Sequence, residues 1–201
     1  MTKAIIFDLG GVVLNPEGFT LNMLTKIFGV SPKQIQIVYT EVLEKEWGRG
    51  EVTAAQIVEK IKQKFPINRK TEQVVKEWQQ IYLNQTKIDQ EILNRVDKLH
   101  KNYRVYLLTN TVDIHSQVNK KRGIYSHFDN IYESCALGIR KPNKEIYQYV
   151  LRDLSLKPQE CFFTDDRQVH IDGAKALGID AAIFESQDQL EQELLNRGVS
   201  L

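Results

Sequence analysis

The chain has 201 residues, of which 42% are hydrophobic and 26% charged, as in an ordinary globular protein. Its 27 lysines and arginines balance 26 aspartates and glutamates, and a net charge of +1 is not that of proteins that bind nucleic acid or acidic membrane surfaces. No apolar stretch approaches a membrane span, and Asp8 interrupts the amino-terminal one, which has no signal-peptide cleavage site. We expect a cytoplasmic protein without nucleic acid or membrane among its partners.

Short apolar runs alternate with helical patterns along most of the chain. The first run, Ala4–Phe7, ends at Asp8 and a Gly-Gly pair, as does a strand buried on both faces of a parallel sheet. Similar runs lie at 105–108, 161–163 and 181–184, with a weaker candidate at 130–132. Helix-spaced apolar residues lie between them, notably at 144–154 and 170–177. This alternation predicts an α/β fold with a mostly parallel sheet.

Residues 18–88 have a different pattern. They contain no convincing strand, but helix-spaced stretches lie at 19–28, 32–47, 53–65 and 71–83. Helix starts are indicated by Ser31-Pro32 and by Thr53, which stands in a capping-box arrangement. The chain is therefore predicted to divide into a core, residues 1–17 and 89–201, and an inserted all-helical segment, residues 18–88.

Polar side chains follow several of the predicted strands. They are Asp8, Thr109, Asn110, Lys141, Asp165 and Asp166. Taken singly, Asp8 could simply end a strand, and Thr109 with Asn110 could cap the next helix. Asp165 and Asp166 are harder to explain in this way, because adjacent carboxylates repel each other unless a cation or hydrogen bonds offset the repulsion. Since ligands bind beyond the carboxyl ends of parallel strands, all six are expected to converge on one site.

These residue types suit the transfer of a phosphoryl group. A carboxylate that attacks a phosphate dianion needs Mg²⁺ and cationic or hydrogen-bonding groups to neutralise the phosphoryl oxygens. Asp8 would be the nucleophile and also a metal ligand, and Asp166 with Asp165 would complete the oxygen ligands that Mg²⁺ prefers. The remaining groups would hold the phosphoryl group: the Thr109 side chain, the Asn110 backbone amide and the Lys141 ammonium.

Four segments of the sequence carry a family resemblance. In chain order they are IIFDLGGVV, LLTN, LGIRKPNKEIY and FFTDDRQVHIDGAKALGI. Together they resemble the four ordered motifs of the haloacid dehalogenase superfamily, and the resemblance covers nearly the whole chain. It implies a Rossmann-like core with residues 18–88 as a C1-type cap. Within the superfamily, the sequence is similar to cytoplasmic phosphatases that include α-D-glucose-1-phosphate phosphatases, several of which share a DLG-type first motif.

The resemblance also implies roles for individual residues. Asp8 would be the nucleophile, Thr109 the phosphate ligand, and Lys141 the cation that stabilises Asp8 and the phosphate. Asp165 and Asp166 would belong to the metal motif, and the third Mg²⁺ ligand would be a backbone carbonyl two residues after the nucleophile. That position is occupied by Gly10, which can supply a carbonyl without a side chain.

Gly10 is also where the sequence departs from the pattern. Most phosphatases of the superfamily have a second aspartate there, which acts as general acid and then base, and such a group contributes about 10²–10⁴ in rate. A residue of the helical segment could replace it, with Glu46, Arg49 and Glu51 as candidates, or Glu17, which directly precedes that segment, could do so. Alternatively, the substrate could have a good leaving group, as a sugar 1-phosphate does, or the enzyme could be weak. We favour the first two explanations.

Other functions are open at this stage. A 2-haloacid dehalogenase shares the nucleophile and lacks the second aspartate, but it uses no metal, so the Asp165-Asp166 pair argues against it. A regulatory protein that binds phosphate without turnover is the non-enzymatic alternative. The expected partner is a small phosphorylated metabolite, and the chain could be a monomer or a homodimer. Tyr82, His115 and His170 are interpreted as packing, surface or capping residues and are not assigned to the site.

Overall fold

A parallel sheet lies at the centre of this computed structural model, which describes residues 1–16, 21–38, 40 and 49–200. In chain order, the strands are β1 (Ala4–Phe7), β2 (Leu14–Pro16), β3 (Thr86–Ile88), β4 (Arg104–Thr109), β5 (Asn130–Glu133), β6 (Cys161–Asp165) and β7 (Asp180–Ile183). The sheet has the order β5-β4-β1-β6-β7, and each neighbouring pair is parallel. The predicted α/β fold is therefore confirmed.

Five helices lie between β1 and β4 in the chain, and the remaining described helices follow the later strands. In chain order, the helices are α1 (Leu21–Phe28), α2 (Pro32–Val38), α3 (Ala54–Lys64), α4 (Thr71–Gln85), α5 (Gln90–Leu99), α6 (Asp113–Lys121), α7 (Ser134–Leu137), α8 (Lys144–Leu154), α9 (Gln168–Lys175) and α10 (Gln187–Asn196). Short 3₁₀ helices span Ile124–His127 and Pro158–Glu160. Within the described ranges, no helix has the length and apolarity needed to cross a bilayer.

Both faces of the sheet are covered, which explains why β1 is apolar throughout. Ile5 and Phe7 belong to a buried cluster with side chains of α5 and α10. Ala4 and Ile6 belong to a second cluster, on side chains of α8 and α9. Because successive residues of a strand point to opposite faces, a strand between two helical layers must be apolar at each position.

Most of the apolar side chains of the helical segment belong to a third buried cluster, which also includes Val112 and Ile114 at the start of α6. In this cluster Phe28 and Trp78 pack edge to face, with ring centroids 5.0 Å apart. The sequence predicted no strand within residues 18–88, and this was wrong at its end, where Thr86–Ile88 forms β3. This strand pairs antiparallel with β2, and the two make a separate two-stranded sheet. The division at residues 18–88 stays a prediction.

A side chain of the sheet region also holds one of these helices. Asp113, in the first turn of α6, accepts hydrogen bonds from the backbone N–H of Ala54 at 3.1 and 3.2 Å. Ala54 is the first residue of α3, where backbone N–H groups have no partner within the helix. The predicted capping box is present as well, with Thr53 and Gln56 bonded to each other's backbone N–H.

Candidate active site

The three central strands bring the predicted site residues together. Asp8 directly follows β1, Thr109 ends β4 and Asp165 ends β6. Since β1 lies between β4 and β6 in the sheet, these three residues are neighbours at its carboxyl edge. The backbone N–H of Asp8 donates to the carbonyl of Thr164 at 2.9 Å, so the strand pairing extends to the proposed nucleophile.

Lys141 is buried at the centre of this edge. Its Nζ donates to Oδ1 of Asp8 at 2.7 Å, to Oδ2 of Asp165 at 2.5 Å and to the backbone carbonyl of Leu108 at 2.8 Å. These contacts match the three hydrogens of an ammonium group. The structure therefore places Lys141 where it stabilises the Asp8 carboxylate. Its predicted contact with phosphate stays a prediction.

Asn110 positions the loop that carries Lys141. Its side-chain Nδ2 donates to the Lys141 carbonyl and its Oδ1 accepts from the Lys141 N–H, both at 2.9 Å. Such a reciprocal pair fixes the backbone of Lys141 against the end of β4. Sequence reasoning assigned only the backbone amide of Asn110, and it missed this use of the side chain. The predicted contacts of Thr109 and the Asn110 amide with phosphate are not tested by the structure.

Asp165 is fully buried and is held from several directions. It accepts hydrogen bonds from the backbone N–H of Arg167 and from Nδ1 of His170, both at 2.9 Å, in addition to Lys141. Burial alone would raise its pKa, but the His170 hydrogen bond and the Lys141 charge lower the pKa of Asp165 to about 2. His170 is thus a buried partner of the site, contrary to its interpretation as a surface or capping residue. The one indication of this contact in the sequence was the spacing of five residues between Asp165 and His170, across the turn into α9.

The carboxylates of Asp8, Asp165 and Asp166 form a cluster suited to a divalent cation. One oxygen of each can be chosen such that all three lie within 4.8 Å of one another. Burial raises the pKa of Asp8 to about 6, with the Asp165 charge acting in the same direction and Lys141 against it. Burial and then the Asp165 charge also raise the pKa of Asp166. The single ammonium group of Lys141 does not balance three carboxylates. The cluster therefore keeps negative charge, which a hard cation would neutralise.

The two glycines after Asp8 have different surroundings. Gly11 has a φ of +78°, and a Cβ built on it would lie 2.3 Å from Oδ2 of Asp166, so only glycine fits there. Gly10 is exposed, and no heavy atom of the described residues outside its chain neighbours lies within 4 Å of a Cβ built on it. Gly10 therefore leaves open space beside the nucleophile. Its predicted carbonyl contact with Mg²⁺ stays a prediction.

The candidates for the missing acid–base group are not settled by position. Glu17 and Glu46 lie outside the described residues. Arg49 and Glu51 are described, and both are exposed. The replacement of the acid–base group by any of the four candidates stays a hypothesis.

Several curated relatives match nearly the whole chain, and two of them represent the range. D-ribitol-5-phosphate phosphatase of Bacteroides thetaiotaomicron is 24% identical over 203 residues, which cover 96% of this chain and 97% of the relative. Drimenol cyclase drtB of Aspergillus calidoustus is 25% identical over 202 residues, or 98% of this chain. This chain spans only 36% of the length of that cyclase.

Solved structures of haloacid dehalogenase family enzymes also resemble this chain. A haloacid dehalogenase family enzyme of B. thetaiotaomicron, in complex with magnesium and inorganic phosphate, has a TM-score of 0.79 and 26% identity, over 94% of this chain and 99% of that one. L-2-haloacid dehalogenase of Xanthobacter autotrophicus shares the fold, with a TM-score of 0.64 at 18% identity over 100% of this chain and 85% of its own. The family model of haloacid dehalogenase-like hydrolases matches residues 2–178. The chain therefore belongs to the haloacid dehalogenase-like hydrolase family, as its four motifs predicted.

Proposed function

We propose that the chain is a phosphatase that hydrolyses a small phosphorylated metabolite through attack by Asp8. The observation that carries the proposal is the position of Asp8, which is bonded to the buried ammonium of Lys141 and clustered with Asp165 and Asp166 at the carboxyl edge of the sheet. A carboxylate so placed can attack phosphorus, because its orientation is fixed and the charges around it favour binding of a cation with the phosphate.

The cluster fits Mg²⁺, which takes hard oxygen ligands. Asp8, Asp166 and the Gly10 carbonyl would hold it, with Asp165 behind them, since Asp165 already accepts hydrogen bonds from Lys141, Arg167 and His170. When bound, the cation supplies neutralisation of the phosphoryl oxygens. The magnesium and phosphate bound to the related Bacteroides enzyme support this assignment.

The residues of the chain then divide the reaction between them. A carboxylate oxygen of Asp8 forms a bond to phosphorus as the bond between phosphorus and the leaving oxygen breaks. The Thr109 hydroxyl and the Asn110 backbone amide bind the transferred phosphoryl group, and Lys141 keeps Asp8 ionised and oriented. Water then attacks the aspartyl phosphate, which releases inorganic phosphate and restores Asp8.

Gly10 bears on the choice of substrate. Without a carboxylic acid at this position, protonation of the leaving oxygen is not assisted from the loop after β1, and such assistance is worth roughly 3–5 kcal/mol of barrier. We therefore propose a preference for sugar 1-phosphates or other esters with good leaving groups. The relative named D-ribitol-5-phosphate phosphatase is named for an alkyl phosphate, so a comparison of the two substrate types tests the proposal directly.

The deciding experiment measures phosphate release by the purified chain, with wild type beside Asp8→Asn. We expect Mg²⁺-dependent hydrolysis of p-nitrophenyl phosphate that a chelator abolishes and that Asp8→Asn lowers by at least about 10³-fold. Among metabolites, kcat/KM should be highest for a sugar 1-phosphate. Equal rates in the two proteins would refute the nucleophile, and chelator-resistant release of halide from a 2-haloacid would indicate the dehalogenase instead.

A further inference from the structure

The loop after β4 carries two of the proposed phosphate ligands, the Thr109 hydroxyl and the backbone amide of Asn110. The parallel pairing of β4 with β5 ends at Thr109, which lies opposite Glu133. Thr111 lies beyond these last paired residues, and it is buried. Since buried backbone N–H and C=O groups need hydrogen-bond partners, a group other than the strand pairing has to hold this part of the loop.

The side chain of Ser134 is that group. Ser134 directly follows β5, begins α7 and is fully buried. Its Oγ accepts a hydrogen bond from the backbone N–H of Thr111 at 3.0 Å and donates to the backbone carbonyl of the same residue at 3.1 Å. A hydroxyl can donate and accept at once, so one side chain satisfies both backbone groups. Ser134 thereby fixes the peptide groups on both sides of Thr111.

A second reciprocal pair holds the same loop one residue earlier. The Asn110 side chain bonds to the backbone N–H and carbonyl of Lys141, both at 2.9 Å. The segment from Ser134 to Lys141 is therefore bound at both its ends to successive residues of the loop after β4. With Thr109 paired in the sheet and Thr111 bound to Ser134, the backbone between them, which includes the Asn110 N–H, has little freedom to turn.

We propose that Ser134 is a positioning residue for the phosphoryl group, which holds the backbone of Thr111 and so keeps the Asn110 N–H directed at the phosphate. The inference rests on the proposed phosphatase function and deepens it. Ser134 has no exposed surface, so it acts through the loop and not by contact with the substrate. A donor that is fixed in advance binds a phosphoryl oxygen without the cost of reorganisation. The side chain of Asn110 then orients Lys141, and the hydroxyl of Ser134 orients the amide that binds phosphate.

Two substitutions separate the hydroxyl of Ser134 from its volume. Ser134→Ala removes both hydrogen bonds, whereas Ser134→Cys keeps a side chain of similar size whose thiol is only a weak donor and acceptor. With p-nitrophenyl phosphate and Mg²⁺, Ser134→Ala should raise the inhibition constant of inorganic phosphate about tenfold and lower kcat by a similar factor. Ser134→Cys should lie between this variant and wild type. The Mg²⁺ activation constant should stay within about twofold of wild type in both, since the carboxylate cluster keeps its contacts.

The matched control is Ser116→Ala, which removes another buried serine hydroxyl, in the middle of α6. It should leave the inhibition constant of phosphate within about twofold of wild type. A lower kcat in Ser134→Ala with an unchanged inhibition constant would mean that only the folded fraction had fallen, and it would overturn the proposal. A wild-type inhibition constant in Ser134→Cys would also overturn it, because the volume of the side chain would then be what matters. This second outcome decides the question even where Ser134→Ala does not fold.

A binding measurement keeps this inference separate from the proposed function. Calorimetric titration with inorganic phosphate in the presence of Mg²⁺ does not depend on turnover. Ser134→Ala should weaken phosphate binding about tenfold, both alone and combined with Asp8→Asn. If Asp8→Asn keeps full activity, the proposed nucleophile fails, but the titration still decides the role of Ser134. Equal phosphate affinity with and without the Ser134 hydroxyl, or no phosphate binding by the wild type, would overturn that role.

Discussion

The two sides of Asp8 are built in opposite ways. On one side, Lys141, Asp165 and His170 are buried and linked by hydrogen bonds of 2.5–2.9 Å. On the other side, Gly10 has no side chain and opens onto a cavity of about 170 Å³. The first side holds charges in place, and the second leaves room. Under the proposed function, the buried polar groups would serve the step common to all phosphate esters, while the part that differs between substrates would meet open space.

The largest expected effect comes from breaking the charged side. Lys141→Met leaves Asp8 and Asp165 as neighbouring carboxylates without their shared cation, so kcat/KM for p-nitrophenyl phosphate should fall by about 10³-fold, as on removal of a preorganised electrostatic group. Unfolding free energy should also fall by about 3–5 kcal/mol, because a buried ion pair is broken. Phosphate release and urea denaturation measure the two effects. The control is Lys144→Met, an exposed lysine at the start of α8. A loss below tenfold in a folded Lys141→Met protein would contradict the role of this lysine.

The open side can be altered by supplying the missing acid. Gly10→Asp should raise kcat/KM for alkyl phosphates such as ribitol 5-phosphate by about 10²-fold, because a positioned acid protonates a poor leaving group. The backbone at Gly10 and the space around it accept a side chain. The gain for a sugar 1-phosphate should be smaller, which a substrate panel would show.

Gly11→Asp is the control for this substitution, since its Cβ would collide with Asp166 and its φ of +78° disfavours any other residue. It should lower both activity and stability. If Gly10→Asp left the ratio of alkyl to sugar 1-phosphate unchanged, the missing acid would not explain the substrate preference.

The charged side should also make stability depend on pH. The pKa of Asp8 in the metal-free protein, about 6, is above its ordinary value of 3.8, so the folded state binds more protons than the unfolded state between these values. The contribution of Asp8 to stability is therefore present below pH 3.8 and is lost as pH rises through 6, by at most about 3 kcal/mol. Asp8→Asn should remove this loss and make the metal-free protein more stable at pH 8. Urea denaturation from pH 4 to 8 in a chelator tests this.

Asp165→Asn is the opposite control. The pKa of Asp165, about 2, is below its ordinary value, so its contribution to stability is present above pH 3.8 and is lost as pH falls toward 2. This substitution should destabilise the protein at pH 8, where Asp8→Asn stabilises it. If both substitutions lowered the unfolding free energy at pH 8, the ionised Asp8 carboxylate would not be destabilising the folded protein.

The smallest expected effect concerns the loop of Lys141. Asn110→Ala removes both hydrogen bonds to the Lys141 backbone, and kcat should fall about tenfold because the ammonium loses its fixed position. The inhibition constant of inorganic phosphate should change less, since the proposed phosphate contact of Asn110 uses its backbone amide. Steady-state kinetics with phosphate as inhibitor measures both quantities. Asn102→Ala, in an exposed turn, is the control, and a larger effect on phosphate binding than on kcat would contradict the positioning role.

The charged side of the site was predictable because its residues lie at the ends of strands. Asp8, Thr109 and Asp165 each follow a recognisable apolar run, and parallel pairing necessarily brings such ends together. His170 was missed, since its partner depends on the turn between β6 and α9 and not on a helical or strand period. The strand Thr86–Ile88 was missed because three residues after a long helix show no alternation. The stacking of Tyr82 on His115 joins α4 and α6, two helices far apart in the sequence, and no local pattern indicates it.

The bond from Asp113 to Ala54 has a consequence for recombination between members of this family. The first amide of α3 is bound by a carboxylate that lies outside the helical segment, in a helix that follows β4. In a chimera that received residues 18–88 alone from another family member, α3 would be separated from the α6 residue that accepts its first N–H in the donor protein. The unit that can be exchanged intact therefore includes the start of α6, and it is larger than the stretch of helices that the sequence sets apart.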